Sequence, residues 1–147
     1  MEFKELINRY QIAISTVYRK VNQIMKEKVH EDITTDQFAT LQYIYQQEAC
    51  TSTDIAHAFG VGKSAITNQV NRLHKKGLII RNQDETDRRN IFLHVTADGK
   101  EIVEFTEKEL TIALTPLLSQ FKEEEIYSFI HSLERLANLL EGKDFNQ

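Results

Sequence analysis

Between residues 63 and 75 the chain carries Lys63, Ser64, Thr67, Asn68, Asn71, Arg72 and Lys75, with Ile66, Val70 and Leu73 among them at helical spacing. On a helix the three apolar residues share one face, which leaves the polar seven on the other. That polar face offers hydrogen bonding and positive charge, and it has no carboxylate. Asn can bond the edge of adenine at two points, Ser and Thr can reach bases or phosphates, and Lys and Arg hold a phosphate backbone. Thr67, Asn68 and Asn71 are the candidates for reading bases, with Lys63, Arg72 and Lys75 as cationic positioning contacts. Ser64, at the start of the helix, suits a phosphate drawn to the positive end of the helix dipole. Taken singly, each of these residues is more simply explained as part of a solvated helix face.

A second group, Asp87, Arg88 and Arg89, weighs against that simpler explanation. It lies in the polar stretch between Leu78 to Arg81 and Ile91 to Val95, two short segments rich in β-branched and aromatic residues that predict a β-hairpin. Arg88 and Arg89 then sit at the hairpin tip, where a wing beside the helix meets a backbone or minor groove. On an extended arm Asp87 and Arg89 point the same way, so the carboxylate can hold the guanidinium in one orientation. An ordinary surface ion pair of little energetic consequence is the alternative.

The net charge of −4 argues at first against a polyanionic partner. Its distribution argues for one. Between Gly60 and Asn90 seven Lys and Arg face three Asp and Glu, a local excess of four positive charges that leaves −8 on the rest of the chain. No nucleophile elbow, phosphate-binding loop or dinucleotide fingerprint occurs, so an enzyme is not expected. His30, His57, His74, His94 and His131 are scattered without ligand spacing, and no metal or cofactor is expected. The single cysteine, Cys50, reads as a small buried apolar residue. With no apolar run of membrane-spanning length and no signal-like amino terminus, the expectation is a soluble, cytoplasmic protein with no membrane partner.

The elements that position these groups read mainly as helices. Phe3, Ile7, Tyr10, Ile14, Val17, Val21 and Ile24 form a seam at alternating spacings of four and three, which fits core or association between helices. Thr34 with Gln37 predicts a capping box for a second helix that buries Phe38, Leu41, Ile44 and Tyr45. Thr51 with Asp54 predicts another for a short third helix that buries Ile55, Ala56 and Phe59. Gly60 ends that helix, and Gly77 ends the next. Two helices joined across a short Gly-containing turn make a helix-turn-helix. Thr96 caps a long helix in which Pro116 predicts a kink, and a last helix follows Lys122. With one folding unit of 147 residues, the fold class is mainly α with a small β-hairpin wing (α+β): a winged helix-turn-helix flanked by long helices.

The run SAITNQVNRLHKKGLIIR followed by DETDRRNIFLHVT resembles the recognition helix and wing of the MarR family of winged-helix transcriptional regulators. Asp87, Arg89, Leu93 and Thr96 fall on the family's wing pattern, and Ala56, Gly60 and Ile66 have its helix-turn-helix spacing. The flanking long helices match the family's order of elements, so the resemblance covers nearly the whole chain. It implies a homodimer whose residues 1–33 and 97–147 interlock around DNA-binding parts at 34–96, presenting two recognition helices to a pseudo-palindromic operator in double-stranded DNA. It implies a repressor released by a small molecule or an oxidant; some members of the family activate instead.

Oxidant-sensing members carry a cysteine in the middle of the first helix, where this chain has Ile12, Ala13 and Ile14. A redox-responsive regulator is therefore a secondary reading. A pocket for a small aromatic or apolar effector is expected where the first, second and fifth helices meet, lined by Tyr10, Ile14, Tyr18, Phe38, Gln42 and Tyr45. The same six serve equally well as core. A winged helix that binds a partner protein is the rival to DNA binding, and salt dependence separates the two.

Overall fold

The computed structural model describes residues 2–29 and 33–142; of the residues singled out above, His30 lies outside this set. The elements run α1 (Phe3–Lys28), α2 (Thr35–Gln46), α3 (Ser52–Phe59), α4 (Lys63–Lys75), β1 (Ile79–Gln83), β2 (Ile91–Val95), α5 (Ala97–Leu118) and α6 (Glu123–Leu140). Contacts divide the chain into Met1–Leu110 and Thr111–Gln147.

In the first unit, one apolar cluster joins the elements around α4. Phe38, Leu41 and Ile44 of α2, Ile55 and Ala56 of α3, and Ile66, Val70 and Leu73 of α4 meet Cys50, Leu78, Ile79, Leu93 and Val103. The caps explain where these helices begin. Thr51 Oγ1 accepts from Asp54 N at 3.1 Å while Asp54 Oδ2 accepts from Thr51 N at 2.9 Å, a complete capping box. At α2 only half of the expected box forms: Thr34 Oγ1 accepts from Gln37 N at 3.1 Å. The Gln37 side chain is buried, and its carbonyl oxygen accepts instead from Lys76 Nζ at 2.9 Å. Gly60 takes φ 65°, a left-handed conformation that suits glycine, and ends α3.

Phe59 differs from expectation. At the last position of α3 it is 38% exposed, and its ring meets Tyr43 edge to face at 5.5 Å between centroids.

β1 and β2 pair antiparallel from Ile79↔Val95 to Gln83↔Ile91, so β1 begins one residue later and runs two residues further than the sequence suggests. An isolated bridge, with Leu93 N donating to Cys50 O at 2.8 Å, ties the hairpin to the loop before α3. Thr96 secures its base: the Oγ1 donates to Gly77 O at 2.7 Å and accepts from Gly99 N at 3.1 Å, and the backbone N–H donates to Leu78 O at 3.0 Å. Gly99 packs so closely there that a Cβ would collide with the Leu78 carbonyl oxygen and come within 2.7 Å of Val95 Cγ1.

Helix α1 has no buried residue, and Phe3, Ile7, Tyr10 and Val17 of its seam are exposed. In the second unit α6 likewise has none, and its Tyr127, Phe129, Ile130 and Leu140 are exposed. Pro116 stands in the last turn of α5, which ends at Leu118. Among the described residues no helix is long and apolar enough to cross a membrane.

Candidate nucleic-acid interface

Helix α4 turns Ile66, Val70 and Leu73 fully inward and leaves Lys63, Ser64, Thr67, Asn68, Asn71, Arg72 and Lys75 exposed. No acidic residue lies in its first turn and no side chain caps it. Its amino-terminal N–H groups and the dipole's positive end therefore point outward beside Lys63 and Ser64. Thr67 Oγ1 donates to Lys63 O at 2.9 Å, which uses its proton and leaves an acceptor and a methyl group facing out. The carbonyl oxygen of Asn71 accepts from Arg81 Nη2 of β1.

Arg81 did not stand out in the sequence as an interface residue. Its signal was alternation: Ile79 and Arg81 share one face of β1, and Ile79 is buried against the core.

The hairpin tip is wired internally. Asp84 Oδ1 accepts from Thr86 N at 3.0 Å and from Thr86 Oγ1 at 2.9 Å. Asp84 N donates to Asn90 O at 2.9 Å, Asn90 N to Asp87 O at 3.0 Å, and Gln83 Nε2 to Arg88 O at 2.8 Å. The expected partnership of Asp87 and Arg89 is present, with Arg89 Nε on Oδ1 at 3.1 Å and Nη2 on Oδ2 at 3.2 Å. Its cause is not an extended arm. Residues 87–90 form a turn, and Asp87 Oδ1 also accepts from Arg89 N at 3.1 Å, which brings the two side chains together across two residues.

These hydrogen bonds from Arg89 hold the Asp87 carboxyl below the usual carboxylate range. The Arg89 side chain remains 91% exposed, so it is aimed without being covered. Arg89 and Lys63 line one cleft of about 490 Å³ with Thr51, Ser52, Asp54 and Asn90, which brings the wing, the start of α3 and the start of α4 together.

The six residues expected to line an effector pocket do not converge. Tyr10 and Tyr18 are exposed on α1, where Ile14 is half-buried. Gln42 Nε2 donates to Glu107 Oε1 at 3.3 Å, and Tyr45 OH donates to Glu104 Oε1 at 3.2 Å, so both turn toward α5. That bond to Glu104 raises the Tyr45 phenol above its usual value. Phe38 is buried and lines a different cleft, with Met25, Val29 and Ile33. Cys50 is buried at the bridge to Leu93, and desolvation pushes its thiol up to about 11. Among the described residues no group of three or more His, Cys, Asp or Glu could hold a metal ion.

A model of the MarR family matches residues 33–91, which include α2, α3, α4, β1 and the wing tip. The chain is 27% identical over 138 residues to the HTH-type transcriptional repressor MdtR of Bacillus subtilis, covering 93% of this chain and 89% of that protein. A crystal structure of MarR superposes with TM-score 0.79 at 28% identity, covering 88% of this chain and 89% of that one. The S. aureus MepR–DNA complex superposes with TM-score 0.73 at 28% identity, covering 88% and 96%. The helix-turn-helix with its braced wing, the matched segment and the likeness over most of the chain thus point one way: the chain is similar to the MarR family of transcriptional regulators, whose members are not enzymes.

Proposed function

We propose that this protein is a cytoplasmic, homodimeric repressor that binds a pseudo-palindromic site in double-stranded DNA and is released by a small aromatic or apolar effector. The DNA reading is carried by one observation: the exposed, carboxylate-free face of α4 lies beside a wing whose Arg89 is held by Asp87 and shares a cleft with Lys63. In this reading Thr67, Asn68 and Asn71 meet bases, while Lys63, Ser64, Arg72, Lys75, Arg88 and Arg89 hold phosphates. MepR, solved on DNA, and MdtR, named a repressor, support the partner and the direction of control. The apolar residues exposed on α1 and α6 support a second copy as their cover. The effector rests on the family resemblance, and a search for it starts from compounds that weaken DNA binding.

The test is fluorescence anisotropy on DNA selected from a random pool, followed across salt concentration and against competitor DNA. Logarithmic affinity should fall steeply with logarithmic salt, by about 0.9 for each phosphate neutralised, and selected DNA should outbind competitor. Binding without sequence preference and with a flat salt dependence would overturn the proposal in favour of a protein-interaction module.

A further inference from the structure

We propose that Arg81 is a specificity-determining positioning residue: it fixes the Asn71 amide with the oxygen turned to the wing and the NH₂ turned outward. Asn71 then offers the DNA its N–H donors, and of adenine's two groups only N7 can meet them. The inference rests on the DNA-reading role of α4 proposed above.

Three observations carry it. Arg81 Nη2 bonds the Asn71 amide, and a guanidinium has donors only, so the amide atom facing it is the oxygen. Arg81 is directed there by the sheet, because it pairs with Leu93 and shares a strand face with Ile79, both buried against the core that includes α4. Leaving that face at its exposed edge, Arg81 meets the flank of α4. Finally, Asn68 on the same helix has no such partner among the described residues, so the constraint is particular to Asn71.

The consequence follows from the donor and acceptor pattern of the bases. Adenine presents N7 as acceptor and N6–H₂ as donor, and Asn matches both only when its oxygen and its NH₂ face the base together. With its oxygen directed to the wing by Arg81, Asn71 turns away from adenine N6–H₂ and meets the base through its N–H groups. These match the O6 and N7 of guanine or the O4 of thymine, and the adjacent guanidinium polarises the amide toward stronger donation. Asn68 keeps the full amide pattern and is the adenine reader of the pair.

The experiment compares DNA selected from a random pool by the wild-type chain, Asn71→Ala, Arg81→Met, Arg81→Lys and the Asn71→Ala/Arg81→Met double variant, each checked for wild-type circular dichroism. The wild type should prefer guanine or thymine at the half-site position that Asn71→Ala makes indifferent. Arg81→Met should shift that position toward adenine by roughly tenfold relative to wild type. Arg81→Lys, which keeps a donor-only cation, should shift it less, and the double variant should show no adenine preference there.

If Arg81→Met lowers affinity equally for all sequences and flattens the salt slope while base preference stays put, Arg81 is a phosphate contact and the proposal is overturned. A wild-type preference for adenine at the Asn71 position overturns it too. A wild-type chain that enriches no sequence defeats the DNA-reading role itself, and this inference with it.

Discussion

Asp87 and Arg89 act as a pair whose state depends on pH in a defined direction. The carboxyl titrates below its usual value in the folded chain, so the brace is fully formed above the ordinary carboxylate range and is lost only as pH falls through the lowered value. Asp87→Asn should therefore weaken DNA affinity by the same factor at every pH between about 6 and 8, as measured by anisotropy. A factor that changes across that window would show that Asp87 is not the ionised brace. Arg89→Ala should weaken binding to all sequences alike and lower the salt slope by about one. Unchanged affinity and slope would remove Arg89 from the interface.

Cys50 is expected to be inert. Its buried thiol titrates at about 11 against an ordinary 9.0, so a thiol reagent near neutral pH should label it only as fast as the protein unfolds. Because the folded value is the higher one, this group's contribution to stability is intact below pH 9.0 and disappears as pH rises through about 11. The exposed face of α4 was legible in the sequence because helical spacing alone separates it from Ile66, Val70 and Leu73. The bond from Arg81 to Asn71 was not, since it depends on where a hairpin lies against a helix.

Among the elements, the junction of wing and α5 is the place where an ordinarily helpful substitution should do harm. Replacing a helical glycine by alanine commonly favours the helix by up to about 1 kcal/mol. At Gly99 the new methyl group would strike the Leu78 carbonyl at the hairpin's base. Gly99→Ala should lower the unfolding free energy by roughly 1–3 kcal/mol in urea denaturation, and a stabilised variant would refute the close packing. Helix starts were readable wherever a Thr and its partner form a local motif, as at Thr51 and Asp54. They were less readable at Gln37, whose side chain is drawn away by Lys76, 39 positions along the chain. Phe59 misled for a related reason: periodicity gives the face of a helix, and not what stands opposite it.

For the whole molecule, the spacing of the α1 seam fitted core and association equally well, and its exposure leaves the seam without cover in the single chain. Phe3 is 69% exposed, Ile7 55% and Val17 56%, with Phe129 of α6 at 60%. Sedimentation at micromolar concentration should accordingly give twice the mass of one chain; a monomer would contradict the homodimer. The hairpin tip bears on how the proposed dimer would meet DNA. Its loop carries hydrogen bonds from Thr86 to Asp84, from Asn90 to Asp87 and from Gln83 to Arg88, and its arginine is braced besides. A loose wing would lose conformational entropy each time it settled on a duplex. Here the internal bonds restrain the tip as the chain folds, and mutations that cut them act on the free protein before DNA arrives.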